Sequence, residues 1–131
     1  MIAVDTNVLV RCVVRDDEAQ AARAKSIIDE CAIAADTCLV TSIVLCELEW
    51  VLEDVYGASR AEVASAVRTI LATPPFVVED ATLVRRALSA YARGRADLSD
   101  YLLGALGDQA GARTTYTFDK ALRNAEGFTL V

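Results

Sequence analysis

Five carboxylates stand where an α/β chain can place reactive groups: Asp5, Glu47, Asp97, Asp100 and Asp119. Asp5 follows the apolar residues 2–4, and Asp119 follows the strand-like run 114–118. Glu47 lies in the opening turns of a helical segment entered through Thr41 and Ser42. Asp97 and Asp100 open another such segment and, three positions apart, can face the same cleft. In open α/β sheets, ligands sit beyond the carboxyl ends of the strands, where helix amino termini also point. Carboxylates gathered there repel one another: at an effective dielectric near 20, two charges about 5 Å apart cost roughly 3 kcal/mol. The natural compensation is a hard divalent cation, Mg²⁺ or Mn²⁺, which prefers oxygen ligands and readily adds a substrate phosphate. Such an ion lowers the pKa of a bound water and stabilises charge on the leaving oxygen, which is phosphodiester hydrolysis without histidine. The chain contains no histidine. That excludes Ser-His-Asp and Cys-His nucleophile systems and the usual zinc hydrolase.

Each carboxylate also has a purely structural reading. Asp97 suits a helix N-cap, and Asp119 suits a turn before a short helix. Glu47 alone could be a solvated helix position like Glu49 and Glu53. Asp5 resists such a reading most, because at the end of an apolar strand a lone buried charge is costly.

The elements that must hold these residues follow from periodicity. Strands are expected at 2–4, 38–40, 76–79, 114–118 and 128–130, with helical segments between them. The first helix is read as 8–14, and the second begins at Asp16 or Asp17 and runs to Ala34. A third is terminated by Gly57, and Ser59 with Glu62 forms a capping-box pattern that starts a fourth, ended by Pro74 and Pro75. These two helices form a hairpin. Asp80 is read as the cap of a fifth helix that stops before Gly94, and Asp97 as the cap of a sixth with Gly111 past its end. Strands interleaved with helices imply an α/β fold: one mainly parallel sheet of about five strands covered on both faces.

With 131 residues, 54% of them hydrophobic, one domain spanning 1–131 can fill a core. No apolar run is long enough to span a membrane and no leader is evident at the amino terminus, so a cytoplasmic protein is expected. Cys12, Cys31, Cys38 and Cys46 lack zinc-site spacing and read as reduced, mostly buried small hydrophobes. The 19 acidic residues against 13 basic ones give a net charge of −6, opposite to the usual footprint of a nucleic-acid binder. Arg11 and Arg15, nearest the first carboxylate in sequence, and Arg85, Arg86, Arg93 and Arg95 are candidates to offset it by holding phosphates. Trp50 and Tyr56, at helical spacings, read as core or dimer contacts rather than base-stacking groups.

At the carboxylates the chain resembles the PIN-domain nucleases and, within them, the VapC-type toxins of toxin-antitoxin pairs. Val4-Asp5-Thr6-Asn7-Val8-Leu9 matches the family's first motif, with Asp5 as its metal-binding aspartate. Glu47-Leu48-Glu49-Trp50 resembles the second, in which a glutamate precedes a tryptophan by three positions, selecting Glu47 over Glu49. Asp97-Leu98-Ser99-Asp100-Tyr101 is similar to the third, whose second aspartate is the principal ligand; Leu98 replaces its common aromatic. Thr117-Phe118-Asp119 is similar to the fourth. The resemblance implies a PIN-like three-layer α/β/α fold and a Mg²⁺- or Mn²⁺-dependent endoribonuclease, often acting on transfer or ribosomal RNA. It also implies a homodimer and a small cognate antitoxin that blocks the site.

The resulting expectation is metal-assisted RNA hydrolysis. Asp5 and Asp100 would hold the metal, Glu47 and Asp119 would complete the catalytic set, and Thr6, Asn7 and Thr117 would supply supporting hydrogen bonds, with Asp97 auxiliary. A phosphoryl-accepting receiver domain is the main rival, but Glu79-Asp80 and Lys120 fit its pattern poorly. A haloacid-dehalogenase-like phosphatase would need an aspartate where Asn7 stands. A noncatalytic binding module is the remaining alternative, which Mn²⁺ affinity of catalytic strength would exclude.

Overall fold

A computed structural model describes residues 1–131. Six α-helices and five strands run β1 (Ile2–Ala3), α1 (Thr6–Val13), α2 (Glu18–Ile33), β2 (Cys38–Val40), α3 (Ser42–Asp54), α4 (Arg60–Ala72), β3 (Phe76–Val78), α5 (Ala81–Arg93), α6 (Leu98–Gln109), β4 (Thr115–Thr117) and β5 (Phe128–Leu130). A single 3₁₀ turn, Lys120–Leu122, joins the last two strands. The α/β class is as expected, and every strand pair is parallel. The expected single sheet is not formed: β1-β2-β3 make one sheet and β4-β5 another. Local capping explains why the strands are so short. The Asp5 side chain accepts the Val8 N–H and starts α1 two residues earlier than expected, while the Thr117 hydroxyl accepts the Asp119 N–H and turns the chain as β4 ends. Each strand is left with two or three residues for its ladder. The chain divides into two compact units, 1–81 and 82–131.

In the first unit, β2 is central and its Cys38 and Val40 are fully buried. Parallel pairing demands long crossovers: α1 and α2 connect β1 to β2, and α3 and α4 connect β2 to β3. Leu45, Leu48 and Leu52 bury one stripe of α3, and Val63, Val67 and Ile70 one stripe of α4, the helical period that packs the two as a hairpin. Asp17 caps α2 through the Gln20 N–H, and Ser59 and Glu62 form the expected reciprocal box on α4. Gly57 follows α3 at φ 64°, a left-handed position that glycine occupies without a Cβ penalty. Trp50 is not core: it is 43% exposed on α3.

In the second unit, Val84, Ala87, Leu88 and Tyr91 bury one face of α5, and Leu98, Tyr101, Leu102 and Ala105 one face of α6. Gly104 lets the Phe128 ring of β5 reach α6; a Cβ there would lie 2.5 Å from that ring. Asp80, read from sequence as an N-cap, has φ 48° and lies in a left-handed turn instead of the extended geometry of a cap. Aspartate tolerates both conformations, so residue type alone did not distinguish them. No helix is long and apolar enough to cross a membrane.

Candidate active site

In the first unit, the parallel strands bring their carboxyl ends to one edge, where Asp5, Thr41, Ser42 and Glu79 follow β1, β2 and β3. Asp5 is exposed and serves as the N-cap of α1, its Oδ1 3.0 Å from the Val8 nitrogen. Asp5 is thus not the buried lone charge expected at this position, although it does stand at the end of the strand. The next residue is the informative one. The buried Thr6 donates its hydroxyl to Glu47 Oε2 at 2.6 Å, joining the first and second motifs. Threonine at that position thus holds one carboxylate oxygen of Glu47. Asn7 is exposed in the first turn of α1.

Glu79 was not singled out from sequence. Its Oε2 accepts both the backbone N–H and the hydroxyl of Ser42, at 2.9 and 3.1 Å, tying the end of β3 to the start of α3. The signal was present, since Glu79 stands after β3 as Asp5 stands after β1. Glu49, read as a solvated helix position, is completely buried, whereas Glu47 on the same helix is exposed. Arg11 is engaged internally: its guanidinium pairs with Asp16, which also accepts the Tyr56 hydroxyl, and its Nε donates to Gln20. These contacts hold Asp16 below, and Arg11 above, their ordinary pKa values; the Tyr56 hydroxyl leads for Asp16, and Arg11's rise comes from Asp16 and Tyr56 against a desolvation that lowers it. Arg15 is exposed.

The second unit contains the other three carboxylates. Asp97 holds the N-cap position of α6, and Asp100 reaches back so that its Oδ2 accepts the Asp97 N–H at 3.0 Å. Asp119 caps the 3₁₀ turn through the Ala121 N–H at 2.8 Å, and its own N–H is held by Thr117. The Asp100 carboxyl has a raised pKa: burial is the largest cause, the hydrogen bond from Asp97 opposes it, and the charges of Asp97 and Asp119 add to it. The structure therefore brings Asp97 and Asp119 each into electrostatic reach of Asp100. An all-oxygen donor set that is partly desolvated and crowded with like charge suits Mg²⁺ or Mn²⁺ and suits zinc poorly. The four cysteines are free, and burial, followed by a hydrogen bond with Cys31, pushes the Cys38 thiol up to about 12.

Neither a curated protein nor a solved structure matches the chain. The family model described as PIN domain matches residues 2–127. That match takes in all four motif carboxylates and nearly the full sequence, and the chain belongs to the PIN domain family.

Proposed function

We propose that this chain is a Mg²⁺- or Mn²⁺-dependent endoribonuclease and the toxin of a toxin-antitoxin pair. PIN domains are in general metal-dependent nucleases, and the observation that carries the reading here is the family match, which takes in Asp5, Glu47, Asp100 and Asp119, with Asp100 partly buried and bonded to the Asp97 N–H. A carboxylate in that setting is stabilised in its charged form by a divalent cation. The reading takes Asp5 and Asp100 as metal ligands and Glu47 and Asp119 as the rest of the catalytic set. Thr6 and Thr117 position two of these groups by the hydrogen bonds described above. The bound cation would supply an acidified water and charge neutralisation at the scissile phosphate. Asp119, held at its backbone by Thr117, has one carboxylate oxygen engaged by Ala121 and the other available to a ligand.

Asp97 is auxiliary, and Arg15 is a candidate phosphate contact. A homodimer and a small inhibitory partner protein complete the proposal. The deciding experiment is cleavage of total transfer and ribosomal RNA with Mg²⁺ or Mn²⁺, with excess chelator, and with Asp5→Asn. Metal-dependent cleavage lost in the variant is expected; full activity in chelator overturns the mechanism. A product of an adjacent small gene should co-purify with the protein and suppress cleavage. If it binds without suppressing cleavage, the antitoxin assignment fails.

A further inference from the structure

The charge of the chain is unevenly distributed. Residues 1–81 carry 14 acidic and 6 basic side chains, whereas 82–131 carry 5 acidic and 7 basic ones. Six of those seven cations, Arg86, Arg93, Arg95, Arg113, Lys120 and Arg123, line one open groove of about 960 Å³ within the second unit. Its two acids, Asp108 and Glu126, both act on Arg86, which forms an ion pair with Asp108. The other five cations are exposed and have no ion pair. Ala87, Ala90, Gly94 and Gly104 make the floor small and apolar, beside the Phe128 ring. The groove adjoins the carboxylates along the chain twice, since Tyr101 follows Asp100 and Lys120 follows Asp119.

We infer that this groove holds an unpaired RNA strand, with phosphates on Arg93, Arg95, Arg113, Lys120 and Arg123 and a base or ribose on the apolar floor by Phe128. The inference rests on the nuclease reading for the identity of the polyanion, and adds to it the path of the strand. Solitary exposed arginines are usually only solvated, but five uncompensated cations converging on one concavity in a chain of net charge −6 form a local polyanion site. An apolar floor beneath cations suits an unpaired strand, whose bases are accessible, better than a duplex, whose bases are stacked inside.

The test is fluorescence anisotropy of a short fluorescein-labelled oligouridylate, with chelator present to prevent cleavage, over a series of salt concentrations. Single-strand affinity falls with a log–log slope of about −0.7 per phosphate neutralised, so five contacts give a slope of roughly −3 to −4. Arg113→Gln/Arg123→Gln should reduce that slope by about 0.7 per cation removed and weaken binding about tenfold or more at low salt. In Mg²⁺ the same variant should raise KM for RNA cleavage with little change in kcat. Arg68→Gln, an exposed charge on α4, should leave the slope unchanged. Unchanged circular dichroism in the variants confirms that their folding is intact. If the groove variant binds and cleaves as wild type does, the groove inference is overturned while the nuclease reading stands. If wild type binds through the groove yet cleaves no RNA with either metal, the nuclease reading fails and the RNA groove is retained. Failure of wild type to bind oligouridylate, or equal binding of polyglutamate with the same loss in the variant, overturns RNA as the occupant.

Discussion

Asp97 and Asp100 are one helical turn apart and have different consequences when neutralised. Asp100→Asn keeps a side-chain oxygen for the Asp97 N–H but removes the crowded charge, so cleavage should fall by more than the roughly 100-fold ceiling typical of outer-shell partners. Asp97→Asn keeps an N-cap residue of equal rank and should lose less than about tenfold. Single-turnover assays of the two variants check this, and equal losses would make Asp97 a working ligand. The raised Asp100 pKa also fixes a sign in the metal-free protein. A folded-state pKa above the unfolded value means the native state binds more protons between the two, so stability falls as pH rises through that window, above the ordinary 3.8. Asp16, Asp36 and Glu62 have lowered values and act oppositely, removing stability as pH falls below their ordinary range. Melts in chelator should therefore show a descending limb above about pH 4 that Asp100→Asn flattens. The placement of Asp5, Asp97 and Asp119 at the ends of elements was legible because strand ends and caps are local properties. Burial was not: Asp5 is exposed and Glu49 is buried, reversing what their neighbours in sequence suggested.

At the scale of elements, most caps and the strands themselves were readable, with Asp80 the exception, but the division of the strands between two sheets was not. Asp17, the Ser59–Glu62 box and Gly57 involve groups a few residues apart, so the sequence that forms them is contiguous. Pairing of two- or three-residue strands depends on distant segments, and nothing in the runs themselves separates β1-β2-β3 from β4-β5. Gly94 is a similar long-range requirement. A Cβ there would lie 1.7 Å from the Tyr101 hydroxyl oxygen and 3.0 Å from the Ala90 carbonyl oxygen. That hydroxyl is held by the Arg95 and Ala96 N–H groups at 3.2 and 3.4 Å, so the buried ring cannot withdraw freely. Gly94→Ala should cost about 2 kcal/mol in denaturant unfolding, combining overpacking with displaced hydrogen bonds. A neutral or stabilising result would show that the Tyr101 contact yields easily.

For the molecule as a whole, the proposed cation is a ligand of the native state and should raise its melting temperature. Saturation at about 100 times Kd contributes about 2.7 kcal/mol. Wild type should gain that stability with Mg²⁺ or Mn²⁺ and lose it with chelator, while Asp100→Asn responds weakly; an identical response in both would move the metal away from Asp100. The aromatic residues make such melts more informative than a single curve. Trp50, the only indole in the chain, is on α3 in 1–81, whereas Tyr91, Tyr101 and Tyr116, three of four tyrosines, lie in 82–131. Indole emission therefore reports on 1–81 and phenol ellipticity mainly on 82–131, with Tyr56 the one phenol outside it, and superposition of their transitions is the criterion for all-or-none melting. A ligand that shifts the phenol curve alone identifies its half of the chain without any label being introduced.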